Sequence, residues 1–423
     1  MPLLPRTATA DARRVLLVRS LRAFADGYVA ILLPLHLAAR GLDAFAVGVI
    51  ATATLLGSAL LTLALGAAAH RLRRRPMLLA AALLMAATGL GFAGFETFWP
   101  LLLVAFVGTI NPSSGDVSLF LPLEHTVLAE SVAPRERTSL FAAYSFVGSV
   151  VAACGALSAG AVDWLAGRFA PAAVMDAMFL LYAAIGLAAF LLYRGLSPRA
   201  EAPGDAPPAP LGESRGKVYR LAALFSLDAL GGGFVVNAML ALWLFECFDL
   251  SAAAAGTIFF ATGLCTSVSY FAAVWIAERI GLIRTMVFTH VPANLLLIAA
   301  AFAPTVETAA GLLILRSFLA SMDVPARSSY VMAVVSPAER PAAASFTAVP
   351  RSLASALPPS ASGWLLGLTS FGWPLVIGGV LKLAYDVLLL RSFAGERPPE
   401  EQAAAQPPTQ PPKTQPPTSE RAR

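Results

Sequence analysis

The chain has 423 residues, 57% of them hydrophobic and only 13% charged, with a net charge of +5. A soluble domain carries about 25% charged residues, so this composition cannot cover a globular surface with water-compatible groups. Apolar runs that reach bilayer-spanning length, about 20 residues, recur from residue 16 to residue 393, which excludes a large soluble domain. The basic excess sits in loops, and no nucleic-acid partner is implied.

The segment Met1–Arg14 is polar and basic, and the apolar run after it continues as a long span, so no cleaved leader is expected. Span 1 is predicted over about 16–39, span 2 over 44–69, span 3 over 76–96, span 4 over 99–131, span 5 over 138–164 and span 6 over 172–195. The run Ser197–Gly216, rich in Pro and Ala, reads as a linker. Span 7 follows over about 218–246, span 8 over 251–277, span 9 over 285–304, span 10 over 308–335, span 11 over 342–368 and span 12 over 371–393. The Pro/Gln-rich tail beyond is expected to be disordered. The expected organisation is a six-helix unit (1–196), a linker (197–217), a second six-helix unit (218–393) and a tail (394–423).

With an even span number, 23 Lys/Arg fall on the side of both termini, four of them before span 1, and two, Arg40 and Arg168, on the other. The positive-inside rule then places both termini in the cytoplasm and the chain in the cytoplasmic membrane.

The halves repeat. Asp116 lies in an apolar stretch that ends in Pro134-Arg135-Glu136-Arg137, and Asp323 in one that ends in Pro337-Ala338-Glu339-Arg340, offset by 203. Gly160 and Gly363 share that offset, and Gly48 and Gly256 stand 208 apart. The two Pro-x-Glu-Arg turns read either as polar helix stops or as gating elements.

After span 2 the chain reads Gly66-Ala67-Ala68-Ala69-His70-Arg71-Leu72-Arg73-Arg74-Arg75, and after span 8 Glu278-Arg279-Ile280-Gly281-Leu282-Ile283-Arg284. Here the chain resembles the major facilitator superfamily, whose loop between helices 2 and 3 has Gly, an acid, a basic residue, Gly and two further basic residues. Gly66, Arg71, Arg74 and Arg75 match it, whereas His70 and Arg73 depart from it. The second loop keeps Glu278, Arg279 and Gly281, with Arg284 behind them. The resemblance implies an all-α polytopic fold of 12 transmembrane helices in two pseudo-symmetric bundles, with spans 1, 4, 7 and 10 lining a central cavity. In the family the loop acid helps latch one conformation. With His70 there, a weaker or pH-dependent latch and a simple basic topology anchor are both open.

A charge at the bilayer centre costs at least about 2.5–3.5 kcal/mol, so each intramembrane ionisable group asks for a partner, a wet cavity or a proton. Asp116, Asp323, Asp26 and Glu124 are the candidates for proton coupling. Asp116 follows the helix breakers Asn111-Pro112-Ser113-Ser114-Gly115 near mid-membrane, where it either carries a proton or caps the continuing helix. Asn111, His125, Asp228, Asn237, Arg316, Arg327 and Arg351 are the candidates for lining the substrate cavity. Arg316, Asp323 and Arg327 share one helical face, so one arginine can pair with Asp323 and leave the other for an anionic substrate or for Glu124. A structural salt bridge is the rival reading. Glu124 falls on Arg327 at the 203 offset.

Span 5 has Gly148, Gly155 and Gly160 without the proline that drug-exporting antiporters of the family carry. Pro358-Pro359 predicts a kink in span 11. Cys154, Cys247 and Cys265 lie in apolar segments without CxxC spacing and read as packed helix residues, with metalloid binding as the rival. No HExxH, Gly-x-Ser-x-Gly or phosphate loop is present, so no enzyme, cofactor or metal site is expected. The first expectation is a monomeric secondary transporter in the lipid bilayer, a proton-coupled antiporter for efflux of a drug-like or metalloid-containing compound. The second is uptake of a small organic anion, and the third a non-transporting membrane sensor or scaffold.

Overall fold

The computed structural model describes residues 8–68, 73–113, 119–132, 136–198, 211–212, 214–336 and 339–393, and among them every regular element is a helix. The first half comprises α1 (Ala10–Ala38), α2 (Ala44–Ala68), α3 (Arg74–Gly94), α4 (Phe98–Val107), α5 (Phe120–Glu130), α6 (Arg137–Ser158), α7 (Ala161–Trp164) and α8 (Pro171–Arg194). The second comprises α9 (Arg215–Gly233), α10 (Asn237–Phe248), α11 (Ala252–Ile280), α12 (Leu282–Ala300), α13 (Val306–Ala320), α14 (Asp323–Ala333), α15 (Arg340–Ala356), α16 (Pro358–Leu368) and α17 (Trp373–Phe393). Five spans are each made of two pieces: α4 and α5 form span 4, α6 and α7 span 5, α9 and α10 span 7, α13 and α14 span 10, and α15 and α16 span 11. Among the described residues, nine of the spans are long and apolar enough to cross a membrane by length and composition. Spans 1, 4 and 11 make up the twelve, one rich in charge and two broken.

The breaks follow from local chemistry. Span 10 stops at Ser321, the residue whose carbonyl the ring of Pro325 would meet four positions on. Span 11 breaks at Leu357, which itself keeps helical dihedrals, because Pro358 and Pro359 lack the N–H groups that would continue the helical ladder and their rings crowd the carbonyls one turn back. Span 7 breaks after the run Gly231-Gly232-Gly233, which lowers helix propensity. Span 4 leaves the helix at Gly108, a turn earlier than the Asn111-Pro112 signal predicts. Asn111 Oδ1 there accepts from Ser113 N (3.0 Å) and Ser113 Oγ (2.6 Å) and turns the chain. Asp116 lies outside the described residues.

The repeat is literal in space. α5 and α14 have identical bounds at the 203 offset, and α6 and α15 start at Arg137 and Arg340. Arg137 Nε donates to Ala129 O at 2.8 Å, and Arg340 Nε donates to Met332 O at 3.1 Å. Each arginine thus satisfies a carbonyl that the end of the preceding helix leaves without a partner. The helix-stop reading of these turns therefore has a chemical basis.

Within the halves, α1 packs on α6, α3 on α8, α9 on α15 and α12 on α17. Between them, α2 packs on α15 and α16, α6 on α11, and α1 on α10. Glycines permit the closest of these approaches. A Cβ on Gly48 would stand 2.4 Å from Pro359 O, and one on Gly256 2.6 Å from Ala156 O. Pro359 and Ala156 are themselves 203 apart, so the same seam is built twice. By contrast, α5 packs on α1, α3 and α6, and α14 on α11, α12 and α15, each within its own half. The halves are joined on the face away from the α1 start and diverge towards the face that carries the basic loops.

Candidate functional site

A cavity of about 940 Å³ lies between the halves. Spans 1, 7 and 10 line it as expected, and spans 5 and 8 contribute as much wall. Span 4 contributes Ser113 among the described residues. The wall combines aromatic rings, including Phe141, Phe146, Phe259 and Phe271, with small residues of α6 and α11. Among the described residues its charged groups are Arg19, Arg316, Arg351 and Lys382 against one carboxylate, Asp26, with His290 alongside.

Behind the wall stand two polar networks, one in each half. In the first, Arg22 Nη1 lies 3.0 Å from Glu124 Oε1. Glu124 is fully buried and also accepts the hydroxyls of Tyr193 (2.5 Å) and Tyr144. In the second, Asp228 Oδ1 accepts from Lys382 Nζ at 2.6 Å, and Asp228 Oδ2 accepts from Arg327 at 3.2 Å. Arg327 also pairs with Asp323 at 3.2 Å, one turn away on α14. His290 Nδ1 lies 2.8 Å from Asp386 Oδ1, and its Nε2 lies 3.7 Å from Asp228 Oδ1. Each buried charged group of these networks thus has a polar or charged partner, which the cost of burying charge demands.

Arg316 differs. It is half-buried in the cavity wall, and among the described residues it makes no hydrogen bond or ion pair, with Nε buried and unsatisfied.

Both halves carry the sequence pattern of one family model. Residues 15–235 and again residues 221–421 match the Major Facilitator Superfamily. The chain belongs to that superfamily. It is a multi-pass membrane transporter and not an enzyme. An uncharacterised membrane protein of Saccharomyces cerevisiae is 25% identical over 412 residues, covering 89% of this chain and 92% of that protein. The human organic anion transporter MFSD10 (TETRAN) has a similar fold, with a TM-score of 0.63 at 19% identity, over 91% of this chain and 100% of that one. A bacterial homologue of the iron transporter ferroportin, in an inward-facing state, gives a TM-score of 0.68 at 16% identity, over 90% and 98% of the two chains.

Against the superfamily pattern, the predicted residues sort into three groups. Asp26, Asn237, Arg316 and Arg351 reach the cavity wall. Asp228, Asp323, Arg327 and Glu124 lie behind it in the ion-pair networks, while Asn111 turns the break and His125 stacks on Phe141 and Tyr144. In the loops, Gly66 lies in the last turn of α2, and His70 and Arg71 lie outside the described residues. Arg74 pairs with Glu130 at 2.7 Å, and Arg75 donates to Arg194 O. Arg279 lies over the Trp275 ring at 3.4 Å beside Glu278. Gly281 takes φ 86° between α11 and α12, with Arg284 in the first turn that follows.

Arg19, counted from the sequence among the cytoplasmic charges before span 1, instead sits within α1 at the cavity. Sequence reasoning also missed Lys382, His290 and Asp386, because spans 9 and 12 were not expected at the site. The signal was present: a Lys, a His and an Asp inside apolar spans each demand a partner. The three cysteines do not reach the cavity, and among the described residues no His/Cys/Asp/Glu group could hold a metal ion.

Proposed function

We propose that this transporter carries a small amphipathic organic anion, coupled to protons, by alternating access between its two bundles. The observation that carries this reading is Arg316, a cation in the cavity wall that makes no hydrogen bond or close ion pair among the described residues. A guanidinium presents a planar fork suited to carboxylate, sulfonate or phosphate. Arg19, Arg351 and Lys382 add positive potential around it, and the phenylalanines of the wall suit an apolar body. The human transporter of similar fold is named for organic anions, and at that identity the likeness speaks for fold alone. The chemistry here rests on the arginine.

The geometry therefore favours the organic anion over a neutral drug or a metalloid, for which no thiol faces the cavity. The proposed setting is the cytoplasmic membrane, with the basic face inside and the chain acting as a monomer. Uptake of an anion alone would work against an interior-negative potential by about 2.3 kcal/mol per charge at 100 mV. A proton carried with it removes that opposition, so the proposed direction is uptake. Asp26, at the wall, and Asp116 and Asp323 are the acids proposed to pass the coupled proton along its route through the cavity.

The test is flux in proteoliposomes of labelled aromatic carboxylates and sulfonates under imposed inward and outward proton gradients. Accumulation driven by an inward gradient, lost in Arg316→Ala, is the expected result. Accumulation only under an outward gradient would establish efflux by exchange. Flux of neutral or cationic drugs alone would replace the substrate class.

A further inference from the structure

The second-half network contains an odd group. Asp228, Asp323 and Asp386 are three carboxylates, and Arg327 and Lys382 are the two fixed cations in direct contact with them. One negative charge is left over, and among the described residues the neighbouring base placed to offset it by taking a proton is His290, 3% exposed and bordering the cavity. We propose that His290 on span 9 is the seat of the coupled proton, and that its charge decides whether Lys382 belongs to Asp228 or to the transported anion. The inference rests on the anion reading above for the second half of that statement.

The hydrogen-bond geometry sets the details. An ionised carboxylate only accepts, so His290 Nδ1, 2.8 Å from Asp386 Oδ1, carries the hydrogen of the neutral ring. Asn294 Nδ2 donates to the other Asp386 oxygen at 3.0 Å and holds that carboxylate in place. The Nε2 lone pair then faces Asp228 Oδ1 at 3.7 Å, acceptor to acceptor. That oxygen is the one Lys382 occupies at 2.6 Å, while Arg327 holds Oδ2.

A proton added to Nε2 turns this repulsion into a charge-assisted bond to Oδ1. Imidazolium and ammonium then compete for one oxygen. Lys382 already borders the cavity, so the displaced ammonium turns into it and becomes a second cation beside Arg316. The bookkeeping of charge is simple: one proton enters at Nε2, no covalent bond changes, and one positive charge becomes available to one anion. On the far side, loss of the proton returns Lys382 to Asp228 and expels the anion. Proton and anion therefore travel together.

The groups that face His290 come from every neighbouring element. They are Asp228 on α9, Arg316 on α13, Asp323 and Arg327 on α14, and Lys382, Tyr385 and Asp386 on α17, with Arg351 on α15 and Tyr270 on α11 at the same cavity. Among them His290 is the one imidazole, a base that can gain a proton and a positive charge without first being an anion.

The chain has four histidines, so nitrogen NMR of the full-length protein labelled with 15N-histidine reads their charge directly, and His290→Gln assigns the signal. We expect one proton to bind at Nε2 as the pH is lowered. The titration should move to higher pH in Lys382→Met, which removes the competing cation. In parallel, binding of radiolabelled 2-naphthalenesulfonate, whose charge is constant over the titration, should tighten about tenfold per unit fall in pH through the same transition. That slope should vanish in His290→Gln and in Lys382→Met. A His290 that keeps one charge state throughout, or a slope unchanged in His290→Gln, overturns the proposal. Failure of the sulfonate to bind at any pH overturns the anion reading instead, and the NMR titration still decides the seat of the proton.

Discussion

Arg22 on α1 meets Glu124 on α5 at 3.0 Å, and at the equivalent place in the second half the signs are exchanged, with Asp228 on α9 meeting Arg327 on α14 at 3.2 Å. The equivalence is fixed independently by packing. A Cβ on Gly27 would lie 2.0 Å from Ala152 O, and one on Gly233 2.5 Å from Ser355 O, the same contact at offsets of 206 and 203. Each half thus ties the first helix of its repeat to the inner piece of its fourth by a buried ion pair. These inner pieces pack within their own half, so the pairs stiffen each bundle as a body that can rock.

Removal of one partner should therefore cost folding stability. Glu124→Leu leaves Arg22 buried against the hydroxyls of Tyr144 and Tyr193, and a broken buried pair costs about 3–5 kcal/mol. The double change Arg22→Leu with Glu124→Leu leaves no buried charge at the pair and should recover most of that loss. Thermal unfolding of the purified variants, arranged as a double-mutant cycle, measures the coupling. Equal losses in the single and double variants would mean that the pair does not hold the bundle.

The two arginines of span 10 should behave in opposite ways. Arg327→Ala strands Asp323, leaves Asp228 to Lys382 alone, and should lower stability by about 3–5 kcal/mol. Arg316→Ala removes a cation that makes no hydrogen bond or close ion pair among the described residues, so the fold should keep or gain stability while anion flux is lost. Arg316→Lys keeps the charge but not the planar fork, and should retain part of the flux. Melting curves beside proteoliposome flux separate the structural arginine from the substrate arginine.

Much of the architecture is legible in the sequence because it depends on runs and offsets. Twelve apolar runs and the offsets of 203 and 208 reappear as twelve spans, and the glycines at 48 and 256 mark the same seam twice. Pairings across the bundle are not legible in this way. Seven residues separate Arg316 from Asp323 and four separate Asp323 from Arg327, so spacing allows either pair. Asp228, 99 positions away, settles the choice by drawing Arg327 to itself. Lys382 and His290 meet at that same carboxylate, and although a Lys, a His and an Asp inside apolar spans each demand a partner, spans 9 and 12 alone do not say which. Arg19 went unread for a different reason: it falls in the first turn of the predicted span 1, where its charge is counted with the preceding loop, whereas α1 starts at Ala10 and carries it into the bundle.

The linker offers a pH-dependent observable outside the membrane. Glu339, in the turn after α14, accepts from Ser214, from Gly212 N–H and from Ser336 Oγ, and these bonds hold its carboxyl below the usual glutamate range, the Ser214 bond foremost. A carboxyl with a depressed folded value contributes stability above its unfolded value, about 4.3, and loses it as pH falls through the folded value. The end of the linker should therefore stay docked at neutral pH and loosen only in acid below about pH 4. Glu339→Gln should loosen it at every pH. Hydrogen exchange at Gly212 and Ser214 reports this, and wild-type exchange that accelerates between pH 7 and pH 5 beyond its intrinsic rate would contradict the assignment.

The seam on the face away from the basic loops should set the balance between the two openings of the cavity. Gly48 and Gly256 let backbone meet backbone across the halves, and Asp163 Oδ2 adds a bond from Ala253 N at 2.6 Å, at the exposed start of α11. A side chain at either glycine has backbone oxygen, not a yielding side chain, in its way, so the halves must part. Overpacking of this kind costs about 1–3 kcal/mol, which shifts a two-state equilibrium by roughly 5–150-fold. Gly48→Ala and Gly256→Ala should each favour the state open on that face, and Asp163→Ala should do so more weakly because its bond is exposed. Spin labels at Phe45→Cys and Trp364→Cys, both exposed near this seam, in a variant without the three native cysteines, read the separation directly. The glycine substitutions should move the distance distribution to longer values and leave each bundle folded. If the distribution keeps its short component in both glycine variants, the seam is not what closes that face, and the cross-half bond between Ala238 N and Pro112 O at 2.9 Å becomes the contact to break next.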